Sequence, residues 1–145
     1  MSYRVPSAEV LAVAIADVLR EHESVGSQAL FTALVREKLR DLDPEYTVAE
    51  ERVRRTAVQL DMVRMEVQSR DSGKRGRMKV CPVCGGRMLK KRNRTLSGGT
   101  TTLGYRCEKC PYSTGSTRRI PTRYVFHSAL PRARKYKRDE GQSTL

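Results

Sequence analysis

The chain has no Trp and only two Phe among 145 residues, and its aromatic content is 6%. Rings this scarce, beside 31% charged residues, leave too little apolar volume for one large core. A small metal-stapled module beside a small helical one fits that composition better. No run of eighteen apolar residues occurs, which excludes a membrane-spanning helix. An N-terminal apolar export segment is also missing, so an intracellular, cytoplasmic setting is expected, nucleoid-associated if the source is a prokaryote. Nucleophile elbow, P-loop and paired histidines are all absent, and no carboxylate constellation stands out, so the expectation is a protein that is not an enzyme. Finally, no acidic residue interrupts Ser72 to Cys107.

That last gap is part of a larger imbalance. The formal net charge is +13, unevenly shared. Residues 1–69 hold nine Lys/Arg against twelve Asp/Glu, whereas residues 70–145 hold twenty against four. The sign change near residue 70 marks a module boundary and a polyanion-binding second half. Nucleic acid is the expected partner, with DNA favoured and RNA the alternative. A membrane surface is disfavoured because no basic segment carries a strong apolar face.

The four cysteines fall as two C-x-x-C pairs, Cys81-Pro82-Val83-Cys84 and Cys107-Glu108-Lys109-Cys110. Four thiolates from two tight turns match a tetrahedral structural Zn2+ site with no position left for water. Two disulfides would need an oxidising compartment, and a redox C-x-x-C would need a βαβ setting that neither pair has. An iron–sulfur centre uses the same ligands, and spacing alone does not separate it from zinc. His22 and His127 lack the spacing of a ligand pair.

From Ser7, a suitable N-cap, Ala8, Leu11, Ile15, Val18 and Leu19 recur at helical spacing. Val10, Val13 and Ala14 widen the stripe and leave a spare side that would serve a homodimer contact through this first helix. Ser24 to Ser27 breaks the pattern and caps a second helix with Leu30, Phe31, Leu34, Val35 and Leu39 inward, ending before Asp43-Pro44. Thr47 and Glu50 form a capping-box pattern for a third helix. This helix would bury Val53, Ala57 and Leu60 and show Arg52, Arg55 and Gln59 on its outer side. Alternation at Val63, Met65 and Val67 then predicts a strand, a polar turn follows at 69–76, and Met78 to Val80 is the expected return strand.

Three helices followed by a β-hairpin resemble the winged helix-turn-helix fold, over residues 7–77. The resemblance implies double-stranded DNA as ligand, with Arg52, Arg55 and Gln59 on the reading helix and Arg70, Lys74 and Arg75 at the wing tip. Cys81-Pro82-Val83-Cys84-Gly85-Gly86 resembles the first knuckle of the zinc ribbon family, and residues 78–126 are assigned to such a ribbon. Gly85 suits the positive φ needed where the chain turns over a metal. Where that family usually has Gly after the last cysteine, this chain has Pro111, which has neither positive φ nor an N–H to give. Met88 to Thr95 and Thr100 to Arg106 read as antiparallel strands around Ser97-Gly98-Gly99. Lys90, Lys91, Arg92 and Arg94 project from the first arm, and Arg118 and Arg119 follow the ribbon, all suited to phosphate oxygens. Tyr105 and Tyr112 beside the knuckles are expected to fill the ribbon core.

The expectation is therefore an α+β chain: a winged-helix domain (7–77), a four-cysteine antiparallel zinc ribbon (78–126) and a basic flexible tail (127–145). Its combination of modules resembles archaeal-type DNA-binding and transcription-related proteins. The alternative is an RNA- or ribosome-associated ribbon protein whose helical half binds a protein partner.

Overall fold

Ser7 opens the first helix as its spacing implies: the hydroxyl accepts from the Val10 N–H at 3.2 Å. Helix α1 (Ala8–Glu21) follows in the computed structural model, which describes residues 3–131. Its buried residues are Leu11, Ala14, Ile15, Val18 and Leu19. Val13, on the spare side, is 56% exposed. A two-residue strand β1 (Ser24–Val25) leads to Ser27, which caps α2 (Gln28–Leu42) by accepting from the Leu30 N–H. Phe31, Thr32, Val35 and Leu39 are the buried residues of α2, while Leu30 stays half exposed.

The third helix departs from its expected start. Helix α3 spans Glu50–Gln59, and its N-cap is Ala49, with no side-chain cap bond. Thr47 is not available as a cap because its backbone is drawn into the entry segment: Thr47 N–H donates to the Arg4 carbonyl, and Arg4 N–H donates to that of Glu45. The inner face is also rotated from its expected position. Val53, Arg54, Ala57 and Val58 are buried and Leu60 is 53% exposed. The helix ends on Asp61, whose φ of 57° lies in the left-handed region. Asp61 and Met62 N–H donate back to Val58 and Ala57 carbonyls, the bonding of a Schellman cap in which Gly is usual.

The largest difference from the sequence reading concerns the return strand. Strand β2 (Val63–Arg75) does not pair with Met78–Val80, where Val80 makes only an isolated bridge to Arg87. Its partner is β6 (Thr117–Ser128), far along the chain, in register from Val63↔Ser128 to Arg75↔Thr117 with two bulges. With β1 pairing Ser24↔His127, the sheet order is β1-β6-β2. The physical reason is apolar burial. Phe126 in β6 is fully buried and stacks on Phe31 at 4.4 Å, whereas Met78 to Val80 offers no comparable ring to the helices.

The chain thus leaves this sheet at Arg75, forms a second one, and returns at Thr117. The second sheet holds β3 (Met88–Arg94), β4 (Thr100–Cys107) and β5 (Ser113–Thr114), in the order β3-β4-β5. Residues 117–126, assigned to the ribbon by sequence, belong to the first sheet. Residues 127 and 128 finish β6, Ala129 N–H donates to the Met62 carbonyl, and Leu130 packs against the core. The expected flexible tail therefore cannot begin at 127. Its remaining part, residues 132–145 with Arg132, Arg134, Lys135, Lys137 and Arg138, lies outside the described residues. No helix among the described residues is long and apolar enough to cross a membrane.

Candidate metal centre and basic surfaces

The two C-x-x-C turns come together. All four Sγ atoms lie within 4.8 Å of one another, with Cys81–Cys110 at 3.6 Å and Cys84–Cys107 at 3.5 Å. These separations are far beyond a disulfide bond and near the roughly 3.8 Å that four sulfurs about 2.3 Å from a tetrahedral ion would have. All four residues are buried.

The backbone is arranged for thiolates. Val83 N–H donates to Cys81 Sγ, Gly86 N–H to Cys84 Sγ, and Lys109 and Cys110 N–H to Cys107 Sγ, at 3.3–3.4 Å. Without a cation the sulfurs cannot all be ionised together. Cys81 is held down to about 5 mainly by its hydrogen bond with Cys110, while burial pushes Cys84 up to about 11. Cys110 is raised by the same bond with Cys81 and then by burial. A bound metal ion reverses this by its own charge, deprotonating coordinating thiols. The donor set, its burial and the N–H···S bonds fit such an ion.

The two knuckles differ as their sequences imply. In the first, Gly85 takes φ 79° and its N–H reaches the Cys81 carbonyl at 2.9 Å. In the second, Pro111 has no N–H to make the equivalent bond. What survives is the outer closure: Cys81 N–H to Gly86 carbonyl in one, Cys107 N–H to Tyr112 carbonyl in the other, both 2.9 Å. Tyr112 is 2% exposed, and its hydroxyl donates to the Arg119 carbonyl at 2.6 Å, joining the second knuckle to β6. Gly104 holds the ribbon sheet in another way: a Cβ there would stand 2.1 Å from the Thr114 carbonyl oxygen.

The first knuckle also sits on α3, through a residue that the sequence reading passed over. Arg54, 6% exposed, donates to the Val83 and Pro82 carbonyls and to Gln28 Oε1. Its guanidinium lies 4.8 Å from the Tyr124 ring centroid. The signal was present: positions 54, 57 and 58 fall on one helical face, so an arginine there is part of the buried stripe. Lys109 of the second knuckle pairs with Asp61 at 2.8 Å, giving that left-handed residue an ionic partner.

The residues expected on a reading helix have partners within the chain. Arg52 donates to the Pro6 carbonyl at 2.9 Å, Arg55 pairs with Glu51 at 2.8 Å and lies over Gly85, and Gln59 donates to the Cys84 carbonyl at 3.0 Å. Arg70, Lys74 and Arg75 lie exposed along the outer part of β2. Arg119, in β6, donates to the Ser69 hydroxyl and carbonyl, and Arg118 to the Arg77 carbonyl. On the ribbon hairpin, alternation places Lys90, Arg92 and Arg94 on one face and Lys91 on the other. Between Ser72 and Cys107 there are ten Lys and Arg. No ion pair among the described residues takes up any of them.

One further polar line crosses the first sheet. Ser24 Oγ, His127 Nδ1, His127 Nε2 and Glu66 Oε2 follow in succession, with contacts of 2.7 and 2.5 Å. Strand register sets Ser24 directly opposite His127, and Glu66, 63% exposed, reaches it diagonally from two residues beyond Arg64. Comparison of the chain with protein-family models, curated proteins and solved structures gives no match.

Proposed function

We propose that this chain is a non-catalytic nucleic-acid-binding protein in which a structural zinc ion holds the basic ribbon rigid. The observation that carries this reading is the run from Ser72 to Cys107, whose ten cations have no carboxylate partner among the described residues. Eight of the ten lie from Arg77 to Arg106, on and beside the strands and turns stapled by four cysteines, and Lys74 and Arg75 end β2 next to them. A phosphate polymer supplies the missing anions, and binding is driven by release of its condensed counterions. Zinc suits the site because four thiolates close a tetrahedral sphere, which favours structure over chemistry. The Ser24–His127–Glu66 line is read as structural: it crosses the three strands of the first sheet, with Ser24 directly opposite His127 and the exposed Glu66 diagonal to it.

Three helices followed by an antiparallel strand pair keep the order on which the winged-helix resemblance rests, with the ribbon set between the two strands. DNA binding in a transcription-related setting is the reading this suggests. A second reading, RNA held by the ribbon while the helical half meets a protein partner, is favoured by one observation. The helix that would read a DNA groove is engaged with the first knuckle through Arg54 and Gln59.

The two halves are compared by binding of the zinc-loaded chain to duplex DNA and to structured RNA. Lys90→Ala/Arg92→Ala is expected to weaken binding roughly tenfold or more, and Arg52→Ala/Arg55→Ala to change it little. A large loss of DNA affinity in the helix variant, with the ribbon variant unaffected, would return the reading role to α3.

A further inference from the structure

Two concavities meet at the junction of the two sheets, and both are lined by Met78. The first, of about 420 Å3, has Ile120, Pro121 and Pro82 as its apolar surface and Lys74, Arg75 and Arg118 around it. The second, of about 260 Å3, places Met88 and the Tyr105 ring beside Lys79, Arg87 and Lys90. Of the cations at the junction, Arg118 is held in place: it bonds the Arg77 carbonyl, and its guanidinium lies so close to Gly76 that a Cβ there would be 2.7 Å from it. Beyond the second concavity the same hairpin face continues with Arg92 and Arg94, opposite Thr102 and Thr100. Of the two tyrosines expected in the ribbon core, Tyr112 is buried, whereas Tyr105 is only half-buried and lines the concavity.

We infer that this track takes an unpaired nucleic-acid strand, its bases seated on the apolar floors and its phosphates on the flanking cations. The inference rests on the nucleic-acid reading above and narrows it to a class of ligand. A duplex keeps its bases stacked inside and offers only phosphates and groove edges, so floors of Met, Ile, Pro and Tyr would contribute nothing to it. An unpaired strand turns its base faces outward, and alternation of cations with apolar or aromatic platforms is the chemistry that binds it without reading sequence. Single-stranded DNA and RNA share this chemistry.

The test uses fluorescence anisotropy of the full zinc-loaded chain with a labelled deoxyribo-oligonucleotide, the ribo-oligonucleotide of the same sequence, and the corresponding DNA duplex, at equal salt. At least one single strand is expected to bind about tenfold tighter than the duplex, and the stronger of the two identifies the sugar. Tyr105→Leu, which keeps apolar volume, should weaken strand binding at least about fivefold, the lower end for loss of one stacked base. Its dependence on salt should not change, because no charge is removed. Ile120→Ser, at a position 38% exposed and outside the ribbon sheet, should act in the same direction, so the outcome does not depend on one variant folding. A duplex bound as tightly as the strands, or strand binding untouched by both variants, overturns the unpaired-strand inference and leaves nucleic-acid binding standing. Failure to bind any of the three removes the broader reading as well.

Discussion

The two halves of this chain use their cations in opposite ways. In the helical half most arginines and lysines have partners, among them Arg4 with Asp43, Arg20 with Asp17, Lys38 with Glu21, Arg55 with Glu51, and buried Arg54 with knuckle carbonyls. From Ser72 to Cys107, the end of β2 and most of the ribbon, cations outnumber carboxylates ten to none. Charge in the first half therefore serves the fold, while on the proposed reading the cations from Ser72 to Cys107, which no ion pair among the described residues takes up, serve a polyanion. A net charge taken over the whole chain would hide this, since a partnered surface cation contributes little to a distant ligand.

The sharpest way to break the contrast is to remove the ribbon's framework. Cys84→Ser, or chelation of the metal, should unfold β3–β5, because structural zinc supplies about 10–16 kcal/mol in small metal-folded domains. Amide NMR should then show the signals of residues 88–114 collapsing to unfolded positions while α1 and α2 persist. Loss of both halves together would mean that the helical half has no stability of its own.

A smaller effect is expected at the joint. Arg54→Leu leaves the Val83 and Pro82 carbonyls without their donor, and should lower stability by about 2–4 kcal/mol. Denaturant unfolding measures it. The knuckle would loosen from α3 while metal content stays unchanged; a loss below about 0.5 kcal/mol would show that water replaces the guanidinium without cost.

The least effect concerns one acid at the edge of the basic half. The Asp71 carboxyl is held below its ordinary value of 3.8, first by the Thr117 hydroxyl and then by the Gly73 N–H. A depressed folded pKa stabilises above the unfolded value and is lost as pH falls through the folded one. This contribution should be complete above about pH 4 and fade below it. Asp71→Asn should flatten that part of the stability–pH curve. An unchanged acid limb in the variant would show that the Thr117 bond does not bias the carboxyl.

Local features were legible in the sequence and distant ones were not. Cysteine spacing located the cluster because two residues set each turn. The hairpin arms were placed by the turn residues Ser97-Gly98-Gly99 between them, and Gly98 does take φ 92°. The caps at Ser7 and Ser27 were equally local. The β2–β6 pairing joins residues such as Val67 and Tyr124 across the entire ribbon, and no short window contains both. Met78 to Val80 had enough strand character to stand in for β6, and only the Phe31–Phe126 contact decides between them. Thr47 lost its capping role to a backbone pairing with Arg4, again a distant residue. Leu60 yielded its inner place to Val58 because the helix ends at Gln59 and turns through Asp61. In the candidate binding surface, the charge was legible from the acid-free run, but the meeting of two concavities at Met78 depends on how the sheets are joined.

Whether the ribbon's cations hold a phosphate polymer is tested most directly by the salt dependence of that binding. For the zinc-loaded chain and a single-stranded oligonucleotide, a plot of log affinity against log salt should fall with a slope of about −3.5 or steeper, as five or more phosphate contacts require. Lys90→Ala/Arg92→Ala should make it shallower by about 1.4, two contacts' worth. A slope near zero, or one that the double substitution leaves unaltered, would contradict that role for the cations.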